Sequence, residues 1–241
     1  MPRTAKTNPS SEAQEAVKAI RVTPPNFGVL SVTVRNSPGS ELVTHRRGPG
    51  SDISNPDIVK PPKGEKRPTR QKMEELRHAC YEIPGKTDLD KMLEGKAGFI
   101  GLPASGFAKA MATLAKDSGD RTTLNATQVT RNIFVLSDFD AYVKVDCAKG
   151  CHMREDIVMI GKGTNRSPQM RYRPGFPEWE TKLRIRFDAD VFTPEDVMNL
   201  LARAGQKIGW GELRPEKGYS CGMWDVDYDS AQITINKPPK K

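Results

Sequence analysis

Trp179-Glu180-Thr181-Lys182-Leu183-Arg184-Ile185-Arg186-Phe187 alternates without a break. Trp179, Thr181, Leu183, Ile185 and Phe187 fall on one side and Glu180, Lys182, Arg184 and Arg186 on the other, the period of a strand with one buried and one open face. A helix follows at Thr193-Pro194-Glu195-Asp196-Val197-Met198-Asn199-Leu200-Leu201-Ala202-Arg203-Ala204-Gly205. Thr193 caps it, Pro194 takes the first helical position, acids fill the first turn, Arg203 sits in the last, and Gly205 stops it.

Upstream, Phe27 to Arg35 sets Leu30, Val32 and Val34 against Ser31, Thr33 and Arg35 and reads as the first central strand. Gly98 to Lys116 reads as a short apolar strand, a Pro/Ser/Gly turn, and a helix with Phe107, Met111 and Leu114 at helical spacing. A further helix spans Thr69 to Tyr81, with Thr69 as N-cap and Met73, Leu76 and Cys80 on one side. Strands are expected at Asn132–Leu136, Asp140–Val145 and Asp156–Ile160. A basic loop is expected from Gly161 to Gly175, holding Lys162, Arg166, Arg171 and Arg173. A closing strand runs from Gly222 to Tyr228, with a last one at Gln232 to Ile235. The order βαββαβ describes an α+β, ferredoxin-like antiparallel sheet with two main helices on one face, of the RAMP/RRM-like kind.

Residues 1–16 are expected to form a flexible arm, 17–236 a single domain, and 237–241 a basic tail. Within the domain, 36–69 is dense in Pro, Gly, Ser and basic residues, including Lys60-Pro61-Pro62-Lys63-Gly64-Glu65-Lys66-Arg67-Pro68, and is expected to be a long flexible basic insertion.

A chain of 241 residues with 36% hydrophobic content can build a real core. Its 38 Lys and Arg against 30 Asp and Glu leave a net charge of +8, which favours a polyanionic partner. No signal-like apolar region opens the chain and no run of about 18 apolar residues occurs, so the expectation is a soluble, cytoplasmic protein with no membrane partner. Cys80, Cys147, Cys151 and Cys221 are too few for a disulfide framework. Cys147-x-x-x-Cys151-His152 invites zinc, but its fourth ligand must come from distant Cys80 or Cys221 and no second pair exists. A hairpin tip with incidental thiols is the preferred reading, and no metal or cofactor is expected.

Between Ala204 and Val226 stand five glycines, three basic residues (Lys207, Arg214, Lys217) and three aromatic ones (Trp210, Tyr219, Trp224). Two readings stand: a pliable surface for a phosphate backbone with unstacked bases, or a long hairpin loop with core aromatics. On the open side of the alternating strand, Lys182, Arg184 and Arg186 recur about every 7 Å, suited to an extended phosphate chain or simply to a solvated edge. Arg171 adds charge from the basic loop.

The segment Gly205-x-x-x-Gly209-x-Gly211-x-x-Arg214-Pro215-x-x-Gly218-x-x-x-Gly222-x-Trp224 resembles the C-terminal glycine-rich loop of the RAMP superfamily, the RNA-binding subunits of CRISPR effector complexes. Leu102 to Ala110 is similar to the turn that opens the first helix of their backbone subunits. The resemblance covers residues 27–35 and 98–228. It implies that Ser105 and Lys109 lie near phosphates and that Gly209, Gly211, Arg214 and Gly218 shape the binding loop. The partners it implies are single-stranded RNA or DNA, further copies of the chain in a homo-oligomer or filament, and CRISPR-type complex subunits. The chain also resembles uncharacterised bacteriophage proteins with a GIG-x-x-RP ending, which would put it in a host cytoplasm. Trp210 replaces the usual Ile there, as a stacking platform or as packing. His45, His78 and His152 do not match a repeat-processing histidine.

No G-x-S-x-G surrounds Ser105, and no Walker A, dinucleotide or H-E-x-x-H motif occurs. Asp138 with Asp140, and Asp188 with Asp190, could hold Mg²⁺, although turn chemistry explains both pairs. The expectation is a non-enzymatic single-strand binder. The alternatives are a metal-dependent nuclease using Asp188 or Asp140 with His152, and a protein-binding mimic or inhibitor of a CRISPR effector complex.

Overall fold

In chain order the elements begin with β1 (Phe27–Asn36), β2 (Leu42–Val43), α1 (Lys72–Ala79), α2 (Leu89–Leu93), β3 (Gly98–Pro103), α3 (Ala104–Asp117), α4 (Ala126–Asn132) and β4 (Ile133–Leu136). They continue with β5 (Tyr142–Cys147), β6 (His152–Ile160), β7 (Ser167–Phe176), β8 (Trp179–Asp188), α5 (Pro194–Lys207) and β9 (Trp224–Ile235). The structure is a computed structural model that describes residues 25–46, 64, 71–117, 124–160 and 166–235. It is an α+β fold whose strand pairs, among these residues, are antiparallel.

The larger sheet has the order β3-β5-β8-β1-β9, with β4 also pairing β8. Its register sets Leu30 opposite Ile185 and Val32 opposite Leu183, so the inward phases of β1 and β8 form one apolar surface. Phe107, Met111 and Leu114 of α3 and Val197, Leu200 and Leu201 of α5 cover that surface and are buried with it. Each such side chain contributes about 1.5–3 kcal/mol on burial. Thr193 caps α5 as expected, in a reciprocal box with Asp196. Gly205 does not end α5, which runs on to Lys207. A Cβ at Gly205 would stand 2.4 Å from the Trp224 carbonyl oxygen, so the glycine is there to let β9 cross the helix closely. Trp224 is fully buried and donates its indole N–H to the Leu201 carbonyl at 3.1 Å.

A second sheet, ordered β2-β7-β6, corrects two expectations. The basic loop expected at 161–175 is, from Ser167 on, the strand β7. Pro168 and Pro174 disguise it, but both share the phase of Tyr172, whose N–H points away from β6 to Glu75 Oε1 at 3.4 Å. At that phase a proline removes no ladder bond to β6. The insertion expected at 36–69 is ordered in its first part, because Leu42, Val43 and Thr44 are buried and the Thr44 hydroxyl donates to the Ala79 carbonyl. Two adjacent apolar residues suffice to anchor a Pro/Gly-rich stretch.

Other differences are local. Helix α1 starts after Gln71, and Met73 is exposed rather than packed with Leu76 and Cys80. No turn separates β3 from α3, since Ala104 already begins the helix. Helix α4 was not expected, although Asn125 and Gln128 form a capping box that signals it. The two closing strands are one long β9, whose pairing with β1 shifts register between Ser31 and Thr33. The arm at 1–16, the insertion from 47 to 69 apart from Gly64, Thr69 as cap, Lys162 and the tail at 237–241 lie outside the described residues. Among the described residues, no helix is long and apolar enough to cross a membrane.

Candidate nucleic-acid interface

The two phases of β8 separate as their alternation predicts. Thr181, Leu183, Ile185 and Phe187 are buried beneath the helices, while Lys182 and Arg184 are exposed and Arg186 is half-buried on the open face. The three cations have different surroundings. Arg184 donates to the Ser137 carbonyl at 2.9 Å and faces Asp138 Oδ1 at 3.4 Å, tying the β4–β5 turn to the sheet. Arg186 lies against two rings, its guanidinium carbon 4.7 Å from the Phe27 centroid and 5.0 Å from that of Phe134. Lys182 has no ion-pair partner among the described residues.

Rings and cations interleave across the rest of this face. Lys144 Nζ stands 5.0 Å from the Phe99 centroid and Lys86 Nζ 4.1 Å from that of Phe139, within cation–π range. Lys144, Lys182, Arg184 and Phe139, with Asp138 and Asp146, line a shallow cleft of about 240 Å³. Phe134, at 37% exposure, presents its ring to solvent. None of these phenylalanines was a candidate from sequence. The signal for Phe99 and Phe134 was the outward phase of strands whose inward phase holds Ile100 and Ile133.

The glycine-rich segment lies on the helical side, buried at 208–210, 222 and 224, half-buried at 211–215 and exposed at 216–220. Trp210 is a core residue rather than an exposed platform, only 8% exposed, edge-on to Tyr81 at 5.6 Å and 6.4 Å from Phe107. The Trp210 backbone N–H donates to the Gly222 carbonyl at 2.8 Å, Glu212 N–H to the Val43 carbonyl at 2.8 Å, and Gly222 N–H to the Glu41 carbonyl at 2.7 Å. The backbone donors at these positions are therefore spent within the protein. Gly211 and Gly222 both have positive φ, and side chains there would meet the carbonyl oxygens of Val43 and Trp210. The close approach these glycines permit is internal.

Lys109, exposed on α3, shares a cleft of about 320 Å³ with Gly209, Trp210, Gly211 and Arg214. The cleft also holds Glu212 and Glu216, and Arg214 is bound to Glu216 at 2.5 Å, so its cations are offset by carboxylates. Ser105 is exposed in the first turn of α3. Lys207 borders an apolar groove of about 560 Å³ with Leu114, Phe192 and Leu200. Lys217 and Gly218 end a single 3₁₀ turn, Pro215–Lys217, with Gly218 as its left-handed cap. Arg171 is withdrawn from solvent beside Glu75 at 3.6 Å and belongs to the packing of α1 on β7, because a buried carboxylate there requires a cation. The thirteen candidates thus divide between the open sheet, the helical side and the second sheet.

Cys147 and Cys151 are buried, burial raises both thiols, Cys151 to about 12, and His152 turns to Glu41 at 3.3 Å. Asp140 sits in the β4–β5 turn with φ +46, and Asp188 accepts the N–H of Asp190 at 3.0 Å. Among the described residues, no three His, Cys, Asp or Glu side chains are grouped to hold a metal ion. No protein-family model matches the chain, and a search of curated proteins finds no match.

Proposed function

We propose that the chain is a binding protein for single-stranded RNA or DNA, and that it uses the open face of its larger sheet. The observation that carries this reading is the interleaving of Lys86, Lys144, Lys182, Arg184 and Arg186 with Phe27, Phe99, Phe134 and Phe139 on one accessible surface. Cations track a phosphate chain, and rings stack on bases only when those bases are unpaired. Both clefts hold carboxylates, Glu212 and Glu216 beside Lys109 and Arg214, and Asp138 and Asp146 beside Arg184 and Lys144; the sheet has the stronger claim because rings stand beside its cations and Phe134 is exposed. We also read β1, α3, β4, β8, α5 and β9 as a ferredoxin-like core. The lateral order β9-β1-β8-β4 and the packing of both helices on one face support that reading. A relationship to the RAMP superfamily rests on the motif residues alone.

Fluorescence polarisation of a labelled twelve-nucleotide single strand at rising salt tests the reading. Binding should weaken linearly in log salt, with a slope of about −1.4 to −2.8 for two to four phosphates. Lys182→Glu should raise Kd at least tenfold. Unchanged affinity in that variant would remove the sheet from the interface.

A further inference from the structure

The charges on the open face are sorted into rows. One row crosses five strands as Phe99, Asp146, Glu180, Arg35 and Asp225, each opposite the next in the antiparallel register. Residues opposite one another share a face, so this row presents three carboxylates and one guanidinium. Arg35 is itself engaged by Asp227, Asp146 by Lys144 Nζ at 2.6 Å and Asp225 by the Gln206 amide at 2.7 Å, which leaves Glu180 as the carboxylate of the row with no partner among the described residues. Along β8 the same phase then reads Lys182, Arg184, Arg186 and Asp188, so a carboxylate bounds the three cations at each end, with Phe134 directly opposite Arg186 and Phe27 opposite Asp188. The three cations therefore lie between Glu180 at one end and Asp188 with two rings at the other.

We propose that the acidic row, with Glu180 at its centre, sets the length of nucleic acid the sheet accepts. This rests on the reading of the open face as a single-strand site. From Lys182 to Arg186 the strand advances about 14 Å, which accommodates about three phosphates at one per cation. A further phosphate in line would lie over the unpaired Glu180 and be repelled, so the strand leaves the sheet there. One copy therefore holds a short segment, and a longer strand takes several copies.

Single-stranded oligonucleotides of two to twelve nucleotides, titrated against the wild type and Glu180→Lys at several salt concentrations, test this. Glu180 is exposed, so the substitution leaves the core intact, and Glu180→Gln separates loss of a negative charge from gain of a positive one. The wild-type salt slope should stop steepening beyond about three nucleotides. Glu180→Lys should steepen it by about 0.7, one further phosphate, with Glu180→Gln in between. A wild-type slope that keeps steepening to twelve nucleotides at one protein per strand overturns the boundary, as does an unchanged slope in Glu180→Lys. Absence of wild-type binding at every length overturns the single-strand reading itself and the boundary with it.

Discussion

Replacing Trp210 by alanine separates a core tryptophan from a stacking platform. The residue is 8% exposed, packs on Tyr81 and Phe107, and its indole N–H has no hydrogen-bond partner, so truncation removes apolar contact and leaves no polar group orphaned. An indole burying roughly 200 Å² contributes about 5 kcal/mol at 25 cal/mol per Å², and measured Trp-to-Ala losses in cores run about 3–5 kcal/mol. Taking about 4 kcal/mol and about 2–4 °C per kcal/mol for a domain of this size, Tm should fall by about 8–16 °C. Thermal denaturation followed by circular dichroism reads the shift. Oligonucleotide affinity at 10 °C, where the folded form persists, should change less than about twofold. An unmoved Tm with affinity lost tenfold would refute the packing assignment and return Trp210 to the interface. Trp210→Phe keeps an aromatic ring in place and should lose about half as much stability if the alanine variant does not fold.

Glycines in the same segment should differ sharply on substitution. Gly222→Ala places a Cβ 1.7 Å from the Trp210 carbonyl oxygen at φ +68 and should cost more than about 3 kcal/mol in urea titration, whereas Gly218→Ala, at φ +82 in open space, should cost about 1–2 kcal/mol. Thr193→Ala removes the cap of α5 and should cost about 1 kcal/mol in the same assay. In the native state, aromatic disulfide reagents should titrate Cys221 first, since Cys80, Cys147 and Cys151 are buried, with all four reacting after denaturation. Those three thiols are held above their ordinary value of 9.0, so the unfolded chain ionises before the native one does. Their contribution to stability is complete below pH 9.0 and declines as pH rises toward 12, and Cys151→Ala should flatten part of that alkaline decline in denaturation measured across the range.

Strand β8 and helix α5 were readable because their signals are local: strict alternation in the first, and the Thr193 cap, the first-turn acids and an apolar stripe in the second. The phase of Lys182 and Arg184 followed from the same alternation. Strand β7 was not readable, because Pro168 and Pro174 are tolerated only at the phase whose backbone nitrogen faces away from β6, and that phase shows only once Tyr172 N–H is seen to reach Glu75. Nor was the role of Trp210, whose neighbours Tyr81 and Phe107 are more than a hundred residues away in the chain. Gly205 was misread for a related reason: a glycine near a helix end commonly marks a stop, and only the crossing of Trp224 reveals a packing role. The aromatic part of the interface depends on register alone. Phe27, Phe99 and the pair Phe134 and Phe139 come from three separated segments, and pairing through β5 and β8 brings them to one face.

The most direct measurement is a nuclear magnetic resonance titration of the isotopically labelled protein with a short single-stranded oligonucleotide. Binding on the sheet predicts the largest shift changes at Lys144, Lys182, Phe134 and Arg186, and small ones at Lys109, Gly209 and Arg214. Changes concentrated at Lys109 and the glycine-rich segment, with the sheet resonances unmoved, would contradict it.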